Sequence, residues 1–271
     1  MNSTTYGKAL ITGASSGIGA IYADRLARRG YDLVLVARSE AKLKALAAKI
    51  SADTGRSVET VAADLTNASD LVRVEAILAT DPDIALLVNN AGVGATAPLL
   101  EADIGAMEDL LALNVNAPTR LAYAVAPAFV ARGKGAIVNI ASAVAVAPEL
   151  LNGVYGGSKA YVLAFSQSLH HELAAKGVRI QAVLPGATAT AFWDVAGTPV
   201  DQLPGEIVMT ADDLVDSALA GFDLGELVTI PSLPDGGEWE RFDEARRAMT
   251  PRLSLASPAK RYRRGGLREA A

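Results

Sequence analysis

Short runs of aliphatic and β-branched residues alternate along this chain with longer segments that are rich in Ala and Leu. The short runs are typical of strands, and the longer segments have the apolar spacing of helices. The predicted strands are Lys8–Thr12, Asp32–Ala37, Ser57–Ala62, Ile84–Asn89, Gly135–Ile140, Val178–Leu184 and Glu226–Ile230. The predicted helices are Gly17–Arg29, Ser39–Ala52, Asn67–Ala79, Met107–Arg132 and Val154–Lys176.

This alternation predicts an α/β fold. Several of the strands are continuous apolar runs, which is typical of a parallel sheet covered by helices on both faces. Right-handed crossovers then give a doubly wound, seven-stranded Rossmann fold. No linker rich in Pro, Ser or charge divides the chain, so we expect a single domain over residues 1–271.

Composition excludes several classes of protein. A chain with 51% hydrophobic and 20% charged residues is too apolar to be disordered. There is no cysteine, and the two histidines, His170 and His171, leave little material for a zinc site, so we predict no metal. The net charge of −5 argues against nucleic-acid binding, although the tail from about residue 250 to 271 is basic.

The N-terminus has neither the apolar core of a signal peptide nor an Arg-rich transit pattern. No apolar stretch reaches the roughly 20 residues that a membrane span requires. We therefore expect a cytoplasmic protein without a membrane partner.

A glycine-rich motif, residues 12–19, follows the first predicted strand and opens the first predicted helix. Gly13 permits a tight turn, Gly17 lets the backbone approach a pyrophosphate, and Gly19 allows close packing of helix on strand. The anion would then lie at a helix N-terminus, where free N–H groups and the helix dipole favour it. The alternative is a Gly/Ser turn that only links strand to helix.

The end of the second strand predicts which dinucleotide is bound. An acidic residue there would accept the ribose 2′-hydroxyl of NAD, but Ala37 offers no acceptor. Arg38 offers a guanidinium that fits a 2′-phosphate, so NADP(H) is favoured. The alternative is that Arg38 is an ordinary solvated residue.

Tyr155 and Lys159 lie four residues apart in a predicted helix and therefore on one face of it. A neighbouring ammonium favours the phenolate, so we expect Lys159 to lower the pKa of Tyr155. Tyr155 then becomes a candidate general acid or base. In isolation, such a pair is more often an ordinary surface pair.

The ordered motifs of the chain resemble those of the short-chain dehydrogenase/reductase family over about residues 7 to 190. The glycine motif matches TGxxxGxG, Asp64-Leu65 follows the third strand, and Asn89-Asn90-Ala91-Gly92 follows the fourth. Residues 185–190 match PGxxxT. The four catalytic positions of the family are occupied by Asn114, Ser142, Tyr155 and Lys159. Within that family the chain resembles NADP-preferring carbonyl reductases and alcohol dehydrogenases.

The resemblance implies a role for each of the four residues. Tyr155 exchanges a proton with the substrate oxygen, and Ser142 hydrogen-bonds that oxygen. Lys159 lowers the Tyr155 pKa and binds the nicotinamide ribose, and Asn114 holds a water in a proton relay. The alternatives are structural, since Asn114 can cap or kink its helix and Ser142 can terminate a strand.

The resemblance also implies the cofactor contacts. Asp64 accepts from the adenine amino group, Leu65 lies against the ring, and Asn90 lies near the adenosine ribose. Asn89 or Asn90 could instead only brace the strand after the glycine turn. The predicted cofactor-binding residues are Gly13, Ser15, Ser16, Gly17, Ile18, Gly19, Arg38, Asp64, Leu65, Asn90, Ala91, Gly92, Tyr155, Lys159, Pro185, Gly186, Thr188 and Thr190.

Two residue choices depart from the family pattern. Thr188 stands where the family often has an aliphatic residue, so its hydroxyl is unexplained. Gly156 and Gly157 each cost about 1 kcal/mol relative to alanine in a helix. Close approach of cofactor, substrate or a neighbouring subunit would each account for them.

The region after the PGxxxT segment suits a mobile lid over the substrate, at about residues 188–212. With Ser142, Phe192 and Trp193 are candidate substrate-binding residues, although Trp193 could be only a packing anchor. No Lys or Arg occurs from Thr188 to Leu227, which favours a neutral, apolar substrate.

These features together predict an NADP(H)-dependent oxidoreductase that acts on a small carbonyl or alcohol. The alternative is a non-catalytic, NADP-binding regulatory or scaffold protein on the same fold. By analogy with the family we expect a homodimer or homotetramer.

Overall fold

The computed structural model of this protein describes residues 6–262. Its strands form one seven-stranded parallel sheet in the order β3-β2-β1-β4-β5-β6-β7. The strands are β1 (Lys8–Thr12), β2 (Asp32–Ala37), β3 (Val58–Ala62), β4 (Ile84–Asn89), β5 (Gly135–Ile140), β6 (Val178–Val183) and β7 (Val228–Thr229). The helices are α1 (Gly17–Arg28), α2 (Glu40–Thr54), α3 (Ala68–Thr80), α4 (Ile104–Leu111), α5 (Ala117–Arg132), α6 (Gly153–Leu173), α7 (Phe192–Ala196), α8 (Ala211–Leu224) and α9 (Gly236–Ala248). The predicted Rossmann fold is confirmed.

Apolar residues cover both faces of the sheet. In β1, Ile11 belongs to one buried cluster, together with residues of α1, α2 and α8. Its neighbour Leu10 belongs to a second cluster, which contains residues of α3, α5 and α6. Because successive side chains of a strand point to opposite faces, the two clusters are the two cores on either side of the sheet.

The strand order reverses between β1 and β4, which are neighbours in the sheet. The chain leaves β1 towards one side and leaves β4 towards the other, a topology that places a ligand crevice at their carboxyl ends in open α/β sheets. The loops after β1, β4, β5 and β6 meet at this edge of the sheet. This edge holds most of the predicted site residues.

The predicted helix Met107–Arg132 is wrong in detail. It is divided into α4 and α5 by a π-helical turn at Ala112–Asn116. The physical reason is that the Asn114 side chain reaches out of this turn to bond the backbone of Val93. Such a turn widens the helix without changing its apolar spacing enough to be recognised in the sequence.

Helices α7, α8 and α9 are absent from the predicted elements. Helix α7 has only five residues, too few for a periodic pattern. Strand β7 has two residues, fewer than the predicted run Glu226–Ile230.

The chain divides into two compact units after Ser232. The second unit contains α9, which buries none of its residues, and two 3-10 turns at Thr250–Arg252 and Lys260–Tyr262. The single domain over 1–271 remains a prediction. Of the basic tail, Arg263, Arg264 and Arg268 lie outside the described residues. Every helix within residues 6–262 is too short or too polar to cross a membrane.

Candidate functional site

The glycine turn after β1 has backbone torsion angles that residues other than glycine rarely adopt. Gly13 and Gly17 have φ angles of +66° and +54°. A Cβ atom at Gly19 would lie 2.4 Å from the Gly13 carbonyl oxygen and 2.5 Å from Nδ2 of Asn90. The tight turn expected at Gly13 and the close packing expected at Gly19 are therefore both present in the structure.

The N-terminus of α1 is left open, unlike that of its neighbours. Helices α2, α3 and α4 are each capped by a side chain, those of Ser39, Asn67 and Asp103. Ser16 precedes α1 without capping it, and the first turn of α1 has no acidic residue. The backbone N–H groups of residues 15–19 bond to no described residue. An uncapped positive helix end of this kind fits a phosphate group.

Thr190 faces this helix end from the loop after β6. A Cβ atom at Gly17 would lie 3.2 Å from Cγ2 of Thr190, so a side chain at position 17 would narrow the slot between the N-terminus of α1 and Thr190. Ser15 is half-buried and Ser16 is exposed, whereas Ile18 packs against the core. The glycine turn thus presents backbone, and not bulky side chains, to this slot.

Asn90 braces the glycine turn. Its Nδ2 donates to the carbonyl oxygens of Thr12 and Gly13, at 2.9 and 3.3 Å. The Thr12 hydroxyl accepts from the backbone N–H groups of Asn90 and Ala91, at 3.0 Å each. These bonds hold the segment after β4 against β1, and the place of Asn90 near the adenosine ribose stays a prediction.

The ends of β2 and β3 carry the residues expected at the adenosine. Arg38 is exposed and forms no hydrogen bond or ion pair with a described residue. Asp64 accepts from the backbone N–H and the hydroxyl of Thr66, and these bonds lower the pKa of its carboxyl. The Leu65 side chain is buried in the core, and its contact with an adenine ring stays a prediction.

Tyr155 lies in the first turn of α6, which is fixed by the cap residue Asn152. The Asn152 Oδ1 accepts from the backbone N–H groups of Val154 and Tyr155, at 2.8 and 3.4 Å. Its Nδ2 donates to the carbonyl oxygen of Ala97 at 2.6 Å. One side chain therefore ties the start of α6 to the segment that follows β4.

Lys159 lies one turn after Tyr155 and faces the same interior. Its Nζ donates to the carbonyl oxygen of Ile140 at 3.0 Å and lies 5.9 Å from the centroid of the Tyr155 ring. Both side chains are buried. The structure thus brings the two residues together, and the surface-pair alternative does not apply.

Burial dominates the electrostatics of this pair. It raises the pKa of Tyr155 to about 12, an effect that the Ser142 hydroxyl opposes. It also lowers the pKa of Lys159 to about 8. The expected lowering of the Tyr155 pKa by Lys159 is therefore not observed, because both charged forms lose hydration in the same apolar interior.

Ser142 lies two residues after the end of β5 and contacts the segment after β6. Its hydroxyl donates to the Pro185 carbonyl oxygen at 3.4 Å and accepts from the backbone N–H of Val144 at 3.3 Å. The backbone N–H of Ala143 also donates to Pro185, at 2.8 Å. Ser142 therefore caps the turn that follows β5, and its hydroxyl adjoins Tyr155.

The Asn114 side chain forms hydrogen bonds with both polar groups of the Val93 backbone. Its Oδ1 accepts from the Val93 N–H at 3.0 Å, and its Nδ2 donates to the Val93 carbonyl oxygen at 2.8 Å. A Cβ atom at Gly92 would lie 3.0 Å from Oδ1 of Asn114 and 3.4 Å from Nζ of Lys159. Gly92 thus leaves space between these two side chains.

The segment after β6, where the lid is predicted, is held by several hydrogen bonds. The Thr188 hydroxyl donates to the Gly186 carbonyl oxygen at 3.1 Å, which accounts for its presence. Trp193 is buried and its Nε1 donates to the Thr188 carbonyl oxygen at 3.0 Å, as a packing anchor would. The Ala189 N–H donates to the Met209 carbonyl oxygen and the Met209 N–H donates to the Ala187 carbonyl oxygen, and these bonds join the two ends of the segment.

Phe192 brings this segment onto Tyr155. The centroids of the two rings are 5.9 Å apart and their planes are inclined by 49°. Phe192 also meets Trp193 edge to face, with centroids 5.7 Å apart. Of the two predicted substrate walls, Phe192 is therefore the one that adjoins the candidate reactive group.

Sequence reasoning missed Gly94, Thr96 and Asn152. The Asn152-Gly153 pair before a helical segment was a recognisable cap signal. Gly94 and Thr96 had no local signal, because they matter through contacts with residues about a hundred positions away.

The two glycines of α6 have different environments. A Cβ atom at Gly156 would lie 3.1 Å from the carbonyl oxygen of Pro148, whereas one at Gly157 would meet nothing within 4 Å. For Gly156 the close neighbour is therefore a segment of the same chain.

Comparison with known proteins agrees with this geometry. The family described as short chain dehydrogenase matches residues 7–199. The 17-beta-hydroxysteroid dehydrogenase type 3 of Homo sapiens is 36% identical over 221 residues, which cover 80% of this chain and 68% of that protein. The chain spans 57–68% of the length of three curated relatives that it matches.

Two solved structures are similar over nearly the whole chain. A short-chain dehydrogenase from Sphingobium yanoikuyae in complex with NADPH has a TM-score of 0.92 and 50% identity, and the match covers 95% of this chain and 100% of that chain. The bulky-bulky ketone specific alcohol dehydrogenase from Comamonas testosteroni has a TM-score of 0.88 and 46% identity, with 96% and 99% covered. A further relative, 36% identical over 69% of this chain and 58% of its own length, is named inactive hydroxysteroid dehydrogenase-like protein 1, from Pongo abelii. Similarity therefore identifies a family but does not show that this chain converts a substrate.

Proposed function

The chain belongs to the short-chain dehydrogenase family, and on this premise we propose that it is an NADP(H)-dependent oxidoreductase that interconverts a neutral, apolar ketone and its alcohol. The observation that carries the proposal is the buried Tyr155, with the Ser142 hydroxyl beside it and Lys159 one turn further along α6. Buried ionisable groups with shifted pKa values cluster at reactive sites.

The cofactor fits the open end of α1. Backbone N–H groups of residues 15–19 would hold the pyrophosphate, and the free guanidinium of Arg38 would bind a 2′-phosphate. The nicotinamide supplies or accepts the hydride when the cofactor is bound. The related Sphingobium yanoikuyae enzyme was solved with NADPH, which supports this choice.

Tyr155 is the proposed proton donor in ketone reduction. A pKa of about 12 keeps its phenol protonated at neutral pH, so the hydroxyl has a proton to give to the substrate oxygen. The Ser142 hydroxyl would donate a second hydrogen bond to the same oxygen and stabilise the negative charge that develops on it. Lys159 would hold the nicotinamide ribose and restore the proton of Tyr155.

The substrate is inferred to be neutral and apolar. The segment over Tyr155 contributes the Phe192 ring, and the next turn of α7 exposes Val195. No Lys or Arg occurs from Thr188 to Leu227 to attract a carboxylate or phosphate. The name of the Comamonas testosteroni relative, which describes a specificity for bulky-bulky ketones, supports ketones as the substrate class to test first.

The decisive experiment compares the wild type with Tyr155→Phe on a panel of ketones and aldehydes, by following NADPH absorbance. We expect turnover in the wild type and a loss of at least about a thousandfold in the variant, since removing a proton donor forfeits general acid catalysis. Binding of NADPH, measured by fluorescence titration, should persist in the variant. A wild type that binds NADPH but reduces no compound of the panel would instead favour the regulatory or scaffold alternative.

The choice of NADP(H) has its own test in Arg38→Ala. We expect a rise of at least about tenfold in KM for NADPH, because one charge-assisted contact is lost, and little change for NADH. The exposed Arg247→Ala in α9 is the matched control. Equal effects of Arg38→Ala on both cofactors, or a wild type that prefers NADH, would refute the assignment.

A further inference from the structure

We propose that Gly94 determines substrate specificity, because it provides the space in which the Phe192 ring lies over Tyr155. This inference rests on the proposed function and identifies a residue of the same site. Gly94 follows the Asn89–Gly92 motif and lies in the loop between β4 and α4.

The Phe192 ring points directly at the backbone of Gly94. A Cβ atom at this position would lie 2.2 Å from Cζ of Phe192 and 2.8 and 3.0 Å from the two Cε atoms. Non-bonded carbon atoms normally approach no closer than about 3.5 Å. Any side chain at position 94 would therefore collide with the end of the ring.

The backbone around Gly94 cannot retreat from such a collision. On one side, Asn114 bonds both the N–H and the carbonyl oxygen of Val93. On the other side, Thr96 donates to the Ala196 carbonyl oxygen from its backbone N–H at 3.1 Å and from its hydroxyl at 2.8 Å. Since the segment is held at both ends, the Phe192 ring is the part that must move.

Phe192 is half-buried, and two aromatic neighbours restrict its ring on the buried side. Trp193 meets it edge to face and is itself buried and bonded to Thr188. The second aromatic neighbour is Tyr155, whose ring centroid is 5.9 Å away. A ring displaced from Gly94 thus moves in the space beside Tyr155, where a group attached to the substrate carbonyl carbon would lie.

The experiment is a double-mutant cycle of Gly94→Ala and Phe192→Ala, measured on ketones that have one or two bulky substituents. We expect Gly94→Ala alone to lower kcat/KM at least about tenfold for ketones with two bulky groups, with a smaller loss for ketones with a methyl group. We define the bulky-to-small ratio as kcat/KM for ketones with two bulky groups divided by kcat/KM for ketones with a methyl group. Phe192→Ala should raise this ratio. In the Phe192→Ala background, Gly94→Ala should change kcat/KM by less than about twofold, because the collision is gone.

Thermal unfolding of the same four proteins tests the contact without turnover. Gly94→Ala should lower Tm in the wild-type background and leave it nearly unchanged in the Phe192→Ala background. Gly157→Ala is the matched control, because a Cβ atom there meets nothing within 4 Å. It should leave the ratio of kcat/KM values unchanged.

Two results would overturn the inference. One is an equal effect of Gly94→Ala with and without the Phe192 ring, in Tm or in kcat/KM. The other is an unchanged bulky-to-small ratio in Gly94→Ala. A wild type without any reductase activity would refute the proposed function and, with it, the substrate role of Gly94. Thermal unfolding of the four proteins would still show whether the absence of a side chain at Gly94 gives the Phe192 ring its space.

Discussion

Lys159 and Tyr155 show how a single buried environment acts on two ionisable groups in opposite directions. Burial disfavours the charged form of each, so the pKa of the ammonium falls to about 8 and that of the phenol rises to about 12. At neutral pH the phenol is therefore a proton donor, and the ammonium is close to losing its proton. A side chain with a pKa near the working pH can pass a proton in either direction.

The lowered pKa of Lys159 predicts how stability depends on pH. The folded state releases its proton near pH 8 and the unfolded state only near the usual value of 10.5. The cost of burying the charge is thus present in full below the folded pKa and is relieved as the pH rises. From about pH 7 to about pH 9.5, the wild type should gain about 2 kcal/mol in unfolding free energy relative to Lys159→Met.

Urea denaturation of both proteins at the two pH values measures this gain. The exposed Lys176→Met, just after α6, is the control and should follow the wild type at both pH values. A constant difference between the wild type and Lys159→Met would mean that Lys159 has an ordinary pKa.

Residue types alone indicated the chemistry but not the state of these groups. The four-residue spacing of Tyr155 and Lys159 predicted that they share one helix face, and they do. It could not predict that burial outweighs their mutual effect, because desolvation depends on the residues packed around them from β5 and α7.

At the scale of elements, α6 combines a cap, a close contact and an open surface within its first turn. Asn152 caps it, Gly156 lies against Pro148, and Gly157 is exposed. The cap aligns the start of the helix, and therefore Tyr155, with the segment after β4.

The two glycines of α6 should respond oppositely to alanine. Gly157→Ala should raise the unfolding free energy by about 0.5–1 kcal/mol, since alanine loses less backbone entropy in a helix and meets no neighbour here. Gly156→Ala should lower it, because its Cβ atom would lie 3.1 Å from Pro148.

Urea denaturation of the two variants in parallel gives the comparison. A gain in stability for both would show that the Pro148 segment yields readily, and a loss for both would show that position 157 is not free.

Strands with a continuous apolar run were predicted well, whereas elements defined by a few contacts, and the longer helices α8 and α9, were not. Strands β1, β2, β4 and β5 have the predicted bounds because buried parallel strands leave a continuous apolar run. The π-helical turn was not predicted, since the Asn114–Val93 bonds that accompany it join two separate segments. Helix α7 was not predicted because its five residues are too few for a periodic pattern.

At the scale of the whole molecule, helices α5 and α6 present aromatic side chains to the surface. Tyr123 of α5 is 71% exposed, and Tyr161 of α6 is 37% exposed and stacks on Phe165. Exposed aromatic groups of this kind are enriched in subunit interfaces. They agree with the homodimer or homotetramer expected from the family resemblance.

The assembly is tested by sedimentation equilibrium of the wild type and of Tyr123→Glu. We expect a dimer or tetramer for the wild type and a lower mass for the variant, because a charge would be buried in the interface. Ala48→Glu, on the exposed side of α2, is the control and should keep the wild-type mass. A monomeric wild type at micromolar concentration would refute the expectation.

The amino-acid sequence by itself determined the doubly wound fold, the glycine turn and the family of this protein. These features depend on local periodicity and on residues at short spacings, which remain readable without coordinates. Only the tertiary structure decided the directions of the Tyr155 and Lys159 pKa shifts, the burial of Leu65 and the position of the Phe192 ring against Gly94. Each of these depends on desolvation or close packing between segments that are distant along the chain, and such contacts leave no periodic trace in the sequence.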